Sequence, residues 1–220
     1  MSGEETKAVA EVARATGEVA KLGSKAIDAA TGFGNWVSKT VGTIPEDLLG
    51  IAGGDWLHEQ RKRNFMSLQQ KTAKIRERLN ADSAVQPSVS VVLPLLKAAV
   101  DENRPELQEL WAGLLASSFQ SDGGQRVRRA FFDTLVKMEP SDARLFDAIV
   151  LARLASPSGR VMPVEIGTQV GITGEDLAVS RNALDSLGLL EFGLEGARPT
   201  PYGIMFWRAC NPSPATHING

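Results

Sequence analysis

The sequence has few of the residues from which metal sites and nucleophilic sites are built. Its 220 residues include one cysteine and two histidines, His58 and His217, which lie far apart along the chain. No HExxH, CxxC or DxD spacing gathers a set of metal ligands. The sequence also lacks a GxSxG turn and a glycine-rich loop that ends in GK[ST]. We therefore expect a protein that is not an enzyme and that needs no metal and no cofactor.

Long apolar runs and a second cysteine are also missing. No stretch reaches the roughly 18 apolar residues that a transmembrane helix needs, and the acidic N-terminus has no apolar core typical of a secretory signal. A lone Cys210 forms no internal disulfide and fits a reducing compartment. Only Arg208 beside it could activate the thiol, so we expect a small buried hydrophobic side chain. These features predict a cytoplasmic protein, with peripheral contact at the inner membrane as the alternative.

The overall charge gives no reason for nucleic-acid binding, because the formal net charge is -2 and the isoelectric point is about 5.8. Residues 57–80 are the exception, with seven basic and two acidic residues. A solvated helix face is the commonest role of such a run. Contact with phosphate or nucleic acid, or with an anionic membrane surface, remains open. The candidate contact residues are Arg61, Lys62, Arg63, Lys71, Lys74 and Arg78.

Residues 1–54 form an Ala/Gly-rich segment whose small apolar residues recur at weak helical spacing. Such a helix is too marginal to stand alone, so we expect it to dock on a partner. The candidate docking residues are Val12, Val19, Leu22 and Trp36. A second copy of the chain and a membrane surface are the two targets. Acidic residues outnumber basic ones over the first 28 residues, which favours the protein target and a homo-oligomer.

Residues 55–139 have the pattern of an α-helical bundle. A long helix begins at Asp55, an apolar helix with Pro94 near its start follows, and Pro105 opens the segment "ELQELWAGLLASSF". This segment places an apolar stripe on one side of a helix. An aromatic stripe at helical spacing is more often core than binding site, so we expect it to pack against the preceding helix. The stripe comprises Leu107, Leu110, Trp111, Leu114, Leu115 and Phe119.

Residues 140–212 predict a winged-helix-like domain, followed by a flexible tail at 213–220. A helix with Ser141 as its N-cap precedes a helix-turn-helix, and "GLLEFGLEGARPTP" then gives strand, glycine-bearing turn and strand. The fold class is thus mainly α, a helical bundle with a small two-stranded wing. From residue 140 onward, six arginines and no lysine stand against eight acidic residues. That balance favours protein contact or scaffolding over DNA contact.

Three segments in this order resemble the Abi-alpha family of bacterial abortive-infection, or bacteriophage-resistance, proteins. They are "LPLLKAA", "ELQELWAGLLASS" and "LVKMEPSDARLFD", and the resemblance covers about residues 50–155. It implies a role in defence against phage and supplies no catalytic residues.

Taken together, the residues and the resemblance give a leading hypothesis and two alternatives. The leading one is a non-enzymatic antiphage protein that acts through contacts with a phage or host protein. The first alternative is a winged-helix regulator that binds nucleic acid. The second is a peripheral membrane effector that uses the N-terminal helix.

Overall fold

A computed structural model describes residues 55–79, 87–120, 127–157, 160–194 and 196–213. The N-terminal segment, with its candidate docking residues Val12, Val19, Leu22 and Trp36, lies outside these residues. The same holds for residues 214–220, so the predictions made for both ends remain predictions.

The first part of the described chain consists of four helices that form a bundle. They are α1 (Asp55–Arg78), α2 (Val89–Ala99), α3 (Pro105–Ser118) and α4 (Arg129–Lys137). The most extensive helix-to-helix contact joins α1 to α3. Pro105 occupies the first turn of α3, as the sequence predicts.

Helix α3 is the centre of the core. Every residue from Trp111 to Phe119 is buried, and Leu107 is buried one turn earlier, whereas Leu110 is half-buried. The predicted stripe is therefore core, packed against α2 as expected. The sequence pattern shows only one apolar side, but α3 is buried on its opposite side as well. That side carries small residues, among them Gly113 and Ser117.

Pro94 lies in the interior of the 11-residue α2, not near its start. A proline has no N–H, so the carbonyl oxygen of Ser90, four residues earlier, loses its helical donor. Arg129 of α4 replaces that donor, because its Nη2 donates to the Ser90 carbonyl at 3.1 Å. Pro94 thus leaves the Ser90 carbonyl available as an acceptor, and the hydrogen bond from Arg129 attaches α4 to α2 there.

The second part of the chain adds four helices and a two-stranded sheet. The elements are α5 (Pro140–Ala155), α6 (Pro163–Gln169), α7 (Gly174–Ser186), β1 (Leu190–Gly193), β2 (Gly196–Pro199) and α8 (Pro201–Cys210). The N-cap of α5 is Glu139, not Ser141, because Pro140 takes the first helical position. Glu139 and Asp142 form a reciprocal capping box at this helix start.

The sheet follows directly from the end of α7. Gly188 has φ 66°, and its N–H donates to the Asp185 carbonyl while that of Leu189 donates to the Leu184 carbonyl. This pair of bonds is the glycine-dependent Schellman ending of a helix. Strands β1 and β2 are antiparallel, with Leu190 opposite Pro199 and Gly193 opposite Gly196. Val161 forms a single bridge to Gly196 from the other side.

The two parts share one hydrophobic core. Helix α8 lies against α3 so closely that a Cβ on Gly113 would be 1.6 Å from the Cys210 carbonyl oxygen. Ser117 Oγ donates to the Ala209 carbonyl at 2.7 Å across the same contact. The mainly helical fold with a small antiparallel sheet near the C-terminus confirms the predicted fold class at that level. The division at residues 139 and 140 into separate domains stays a prediction.

Candidate functional site: two oppositely charged helix faces

Two of the predicted contact residues on α1 are held in ion pairs with other parts of the molecule. Arg61 binds Asp101 through two contacts, Nε to Oδ1 at 2.6 Å and Nη2 to Oδ2 at 3.2 Å. Lys71 Nζ lies 2.5 Å from Glu109 Oε1 of α3. Asp101 lies just after α2 and Glu109 lies in α3. The two ion pairs therefore attach α1 to these parts of the bundle.

The other predicted cations point outward. Lys62, Arg63, Lys74 and Arg78 are exposed on α1. Lys62 Nζ is 3.9 Å from Glu59, and Arg63 Nη2 donates to Gln60 at 2.8 Å. Met66 lies among these residues with 51% of its surface exposed. We call Lys62, Arg63, Met66, Lys74 and Arg78 the basic face.

A cleft of about 510 Å³ opens beside the C-terminal half of α1, against α3. Its lining mixes charges of both signs, since the cations Lys71, Lys74 and Arg78 lie beside the carboxylates of Glu77 and Glu109. Because Lys71 is already paired with Glu109, the cleft presents little excess positive charge to an anion. Its chemistry does not by itself select phosphate.

Helix α7 turns its apolar side inward and an acidic side outward. Leu177, Ser180 and Leu184 are buried. The exposed half of α7 contains Glu175, Asp176, Val179, Asn182 and Asp185, and we call these five residues the acidic face. Val179 is near its middle and is 66% exposed.

The one cation of α7 is turned away from this acidic face. The Arg181 guanidinium carbon lies 4.9 Å from the centroid of the Phe192 ring on β1, a cation–π contact. Its Nε is buried without a hydrogen-bond partner among the residues that the structure describes. Arg181 therefore does not offset the carboxylates that α7 shows to solvent.

The turn between the two strands presents an apolar tip. Leu194 has 96% of its surface exposed, and Arg160 Nη2 donates to the Leu194 carbonyl at 3.1 Å. An isolated apolar residue at a surface needs no explanation. Leu194 and Val179, however, belong to consecutive elements, α7 and the turn of the hairpin that follows it.

An ionic group around the buried Glu102 joins the loop before α3 to the start of α5. Arg104 binds the Glu102 carboxylate through Nε and Nη2, both at 2.9 Å, and its Nη1 contacts Glu139. Burial raises the pKa of Glu102, but the hydrogen bonds and charge of Arg104 outweigh it, so the pKa is lowered overall. The hydrogen bond from Arg104 to Glu102 raises the pKa of the arginine. This group is an internal clamp, and sequence reasoning missed it.

Cys210 is buried at the end of α8, and burial raises the pKa of its thiol well above the ordinary value. Its burial confirms the expectation for this residue, and the raised pKa disfavours the reactive thiolate form. Within the described part of the chain, no group of three or more His, Cys, Asp and Glu side chains is placed to hold a metal ion.

Sequence reasoning gave the cations of α1 but not the exposed apolar residues beside the charges. No sequence motif includes Met66, Val179 or Leu194. Helical spacing could have indicated Val179, because Leu177, Ser180 and Leu184 define the buried side of α7 and leave Val179 on the other. The exposure of Leu194 follows from its place in a tight turn.

The family model described as abortive infection alpha matches residues 60–210. The chain belongs to the abortive infection alpha family. The match runs from α1 to the last residue of α8, so it includes both charged faces. Membership associates the chain with abortive infection and hence with antiphage defence. No curated protein and no solved structure matches the chain.

None of the helices in the described ranges is long and apolar enough to cross a bilayer.

Proposed function

We propose that this abortive infection alpha protein is a non-enzymatic defence protein that acts in the bacterial cytoplasm by contacting another protein. The acidic face and the adjoining wing form the contact surface. The observation that carries the proposal is the outward side of α7, where carboxylates surround an exposed Val179 and the only arginine is withdrawn onto Phe192. An apolar centre within a charged rim is the composition of a protein interface.

The C-terminal part, in this proposal, is a winged-helix-like unit. Its elements follow the order helix, bridge residue, helix, turn, helix and two-stranded wing, from α5 through Val161 to β2. In that arrangement α7 holds the place of a recognition helix, the helix that enters the major groove in DNA-binding proteins. Here Glu175, Asp176 and Asp185 would meet the phosphates and be repelled. The same position is suited to a protein partner.

A winged-helix nucleic-acid binder is the second candidate, and the exposed basic face favours it. Its weakness is the small number of available cations, since Arg61 and Lys71 are tied to Asp101 and Glu109. A membrane-acting effector would use the N-terminal segment, which the structure does not describe.

Crosslinking during infection separates protein contact from nucleic-acid contact. A photoreactive amino acid replaces Val179, and a matched variant carries it at Val136 of α4, whose exposure of 61% is close to the 66% of Val179. We expect protein adducts from position 179 in phage-infected cells and none from position 136. Nucleic-acid adducts at position 179, or equal protein adducts at both positions, would refute the proposal.

Titration with duplex DNA tests the second candidate directly. Binding carried by several phosphate contacts weakens steeply as salt rises. We expect no such binding near physiological ionic strength. Tight, salt-sensitive binding that is lost in an Arg63→Glu and Lys74→Glu variant would establish the nucleic-acid candidate instead.

A further inference from the structure

The basic face of α1 and the acidic face of α7 carry opposite charges at similar spacings along the two helix axes. Arg63 and Lys74 are separated by about 16 Å along the helix, and Glu175 and Asp185 by about 15 Å, from a rise of 1.5 Å per residue. An exposed apolar residue follows the first charge on each helix, Met66 on α1 and Val179 on α7. Two such faces can pair charge with opposite charge and enclose an apolar contact between them.

Within one molecule these faces do not pack on each other. Helix α1 packs mainly on α2 and α3, whereas α7 packs on α5, α6 and β1. Both faces consist of residues exposed to solvent, so packing among the described residues leaves them uncovered. Extensive contact between the two faces would therefore join two molecules.

We propose that the acidic face binds the basic face of a second copy of this chain. Arg63 then lies against Glu175, Met66 against Val179 and Lys74 against Asp185. This inference rests on the proposed function, because it names the partner of the same acidic face. The contact is between unlike surfaces, so it builds a head-to-tail assembly unless the two copies exchange it reciprocally.

Charge complementarity and the apolar centre select this occupant over a nucleic acid. Phosphates would engage the cations of the basic face but would leave Met66 without an apolar partner. The acidic face offers carboxylates to the cations and Val179 to Met66. Ion pairs at a solvated surface are individually weak and are screened by salt. The assembly is accordingly concentration-dependent and salt-sensitive.

Charge reversal with sedimentation analysis tests the contact. We expect the wild-type full chain to self-associate at low ionic strength and to dissociate at about 0.5 M salt, where screening is strong. Arg63→Glu with Lys74→Glu should weaken association at least tenfold, and so should Glu175→Lys with Asp185→Lys. A chain with all four changes should recover it, and an equimolar mixture of the two double variants should form a mixed complex. Asp133→Lys, an exposed reversal on α4, should have no effect.

Several results would overturn the proposal. A wild-type chain that stays monomeric at about 0.1 mM in low salt would do so, since surface pairing is strongest under those conditions. Failure of the four-change chain to recover association would also do so, provided that circular dichroism shows it folded. If the basic face binds duplex DNA and the chain does not self-associate, nucleic acid rather than a second copy is the partner of the basic face.

The same variants keep this inference distinct from the proposed function. Suppose that the wild-type chain is monomeric and that the Glu175→Lys and Asp185→Lys variant loses phage protection. A second copy would then be rejected as the partner, whereas protein contact at α7 would be retained. Intact protection in the Glu175→Lys and Asp185→Lys variant, when that variant no longer associates, would reject the proposed use of the acidic face in defence while self-association itself stood.

Discussion

At the scale of single residues, the contact between α3 and α8 depends on a missing side chain. Gly113 of α3 lets the last turn of α8 lie directly on the α3 backbone, with the Cys210 carbonyl where a Cβ would be. The obstructing atom belongs to the backbone, so no side-chain rotation can relieve a clash. The contact of α8 with α3 therefore depends on glycine at position 113.

Gly113→Ala should destabilise the fold by about 3 kcal/mol, the upper part of the range for an overpacked core, because α8 must move as a unit. Urea unfolding of the full chain measures the effect. Gly193→Ala serves as the control, since a Cβ there meets nothing within 4 Å, and it should change stability by less than about 0.5 kcal/mol. Equal stability of the two variants would contradict the assigned packing.

The clamp at Glu102 predicts a pH dependence. Its pKa is lowered in the folded state, so its contribution is complete above the ordinary carboxyl pKa of 4.5 and is lost as pH falls through the lower folded value. Glu102→Gln should reduce the free energy of unfolding at pH 7 and match the wild type more closely near pH 3. Asp133→Asn, an exposed change, should show no such convergence. A Glu102→Gln effect that is the same at both pH values would argue against the clamp.

At the scale of elements, helix α2 illustrates what the sequence can and cannot predict. Apolar periodicity was sufficient to predict α2 and its contact with α3, because both depend on local spacing. It misplaced Pro94 relative to the helix start, since the helix begins only two residues after Pro87. The donor that replaces the missing proline N–H comes from Arg129, 39 residues away from Ser90, and no local pattern contains it.

A double-mutant cycle tests this attachment. Arg129→Met should cost about 1 kcal/mol in the wild-type background, the usual net value of one hydrogen bond. In a Pro94→Ala background the new alanine has a backbone N–H that can donate to Ser90 instead, so the same change should cost clearly less. Arg128→Met, at an exposed neighbouring cation, should be nearly neutral in both backgrounds. Additive effects of Pro94→Ala and Arg129→Met would show that the two residues are not coupled.

Contacts between residues far apart in the sequence also escape prediction at α3 and α5. The stripe on α3 predicted one buried side, whereas α8 covers the other through contacts between residues more than 90 positions apart, such as Ser117 and Ala209. At α5 the serine was a reasonable N-cap on propensity alone. Pro140 moved the helix start to Glu139, whose clamp with Arg104 again joins distant parts of the chain.

At the scale of the whole molecule, charge is distributed unevenly although the net charge is only -2. The sequence predicted a basic run in α1 and an acidic C-terminal part. It could not predict which charges stay available at the surface, because Arg61, Lys71 and Arg181 are each engaged by a tertiary partner. What remains exposed is a basic face on α1 and an acidic face on α7. The proposed protein contact uses these faces rather than a cavity.

The most direct test of protein contact at α7 is the efficiency of plating of a phage panel on bacteria that express the full chain. The compared variants are Val179→Asp and Val136→Asp, which place the same charge at residues of similar exposure, 66% and 61%. Val179→Asp removes the apolar centre of the acidic face without disturbing the core. We predict that the wild type and Val136→Asp reduce plating alike, whereas Val179→Asp, expressed at the same level, loses the reduction. Full protection by Val179→Asp would contradict the claim that the protein acts through protein contact at α7.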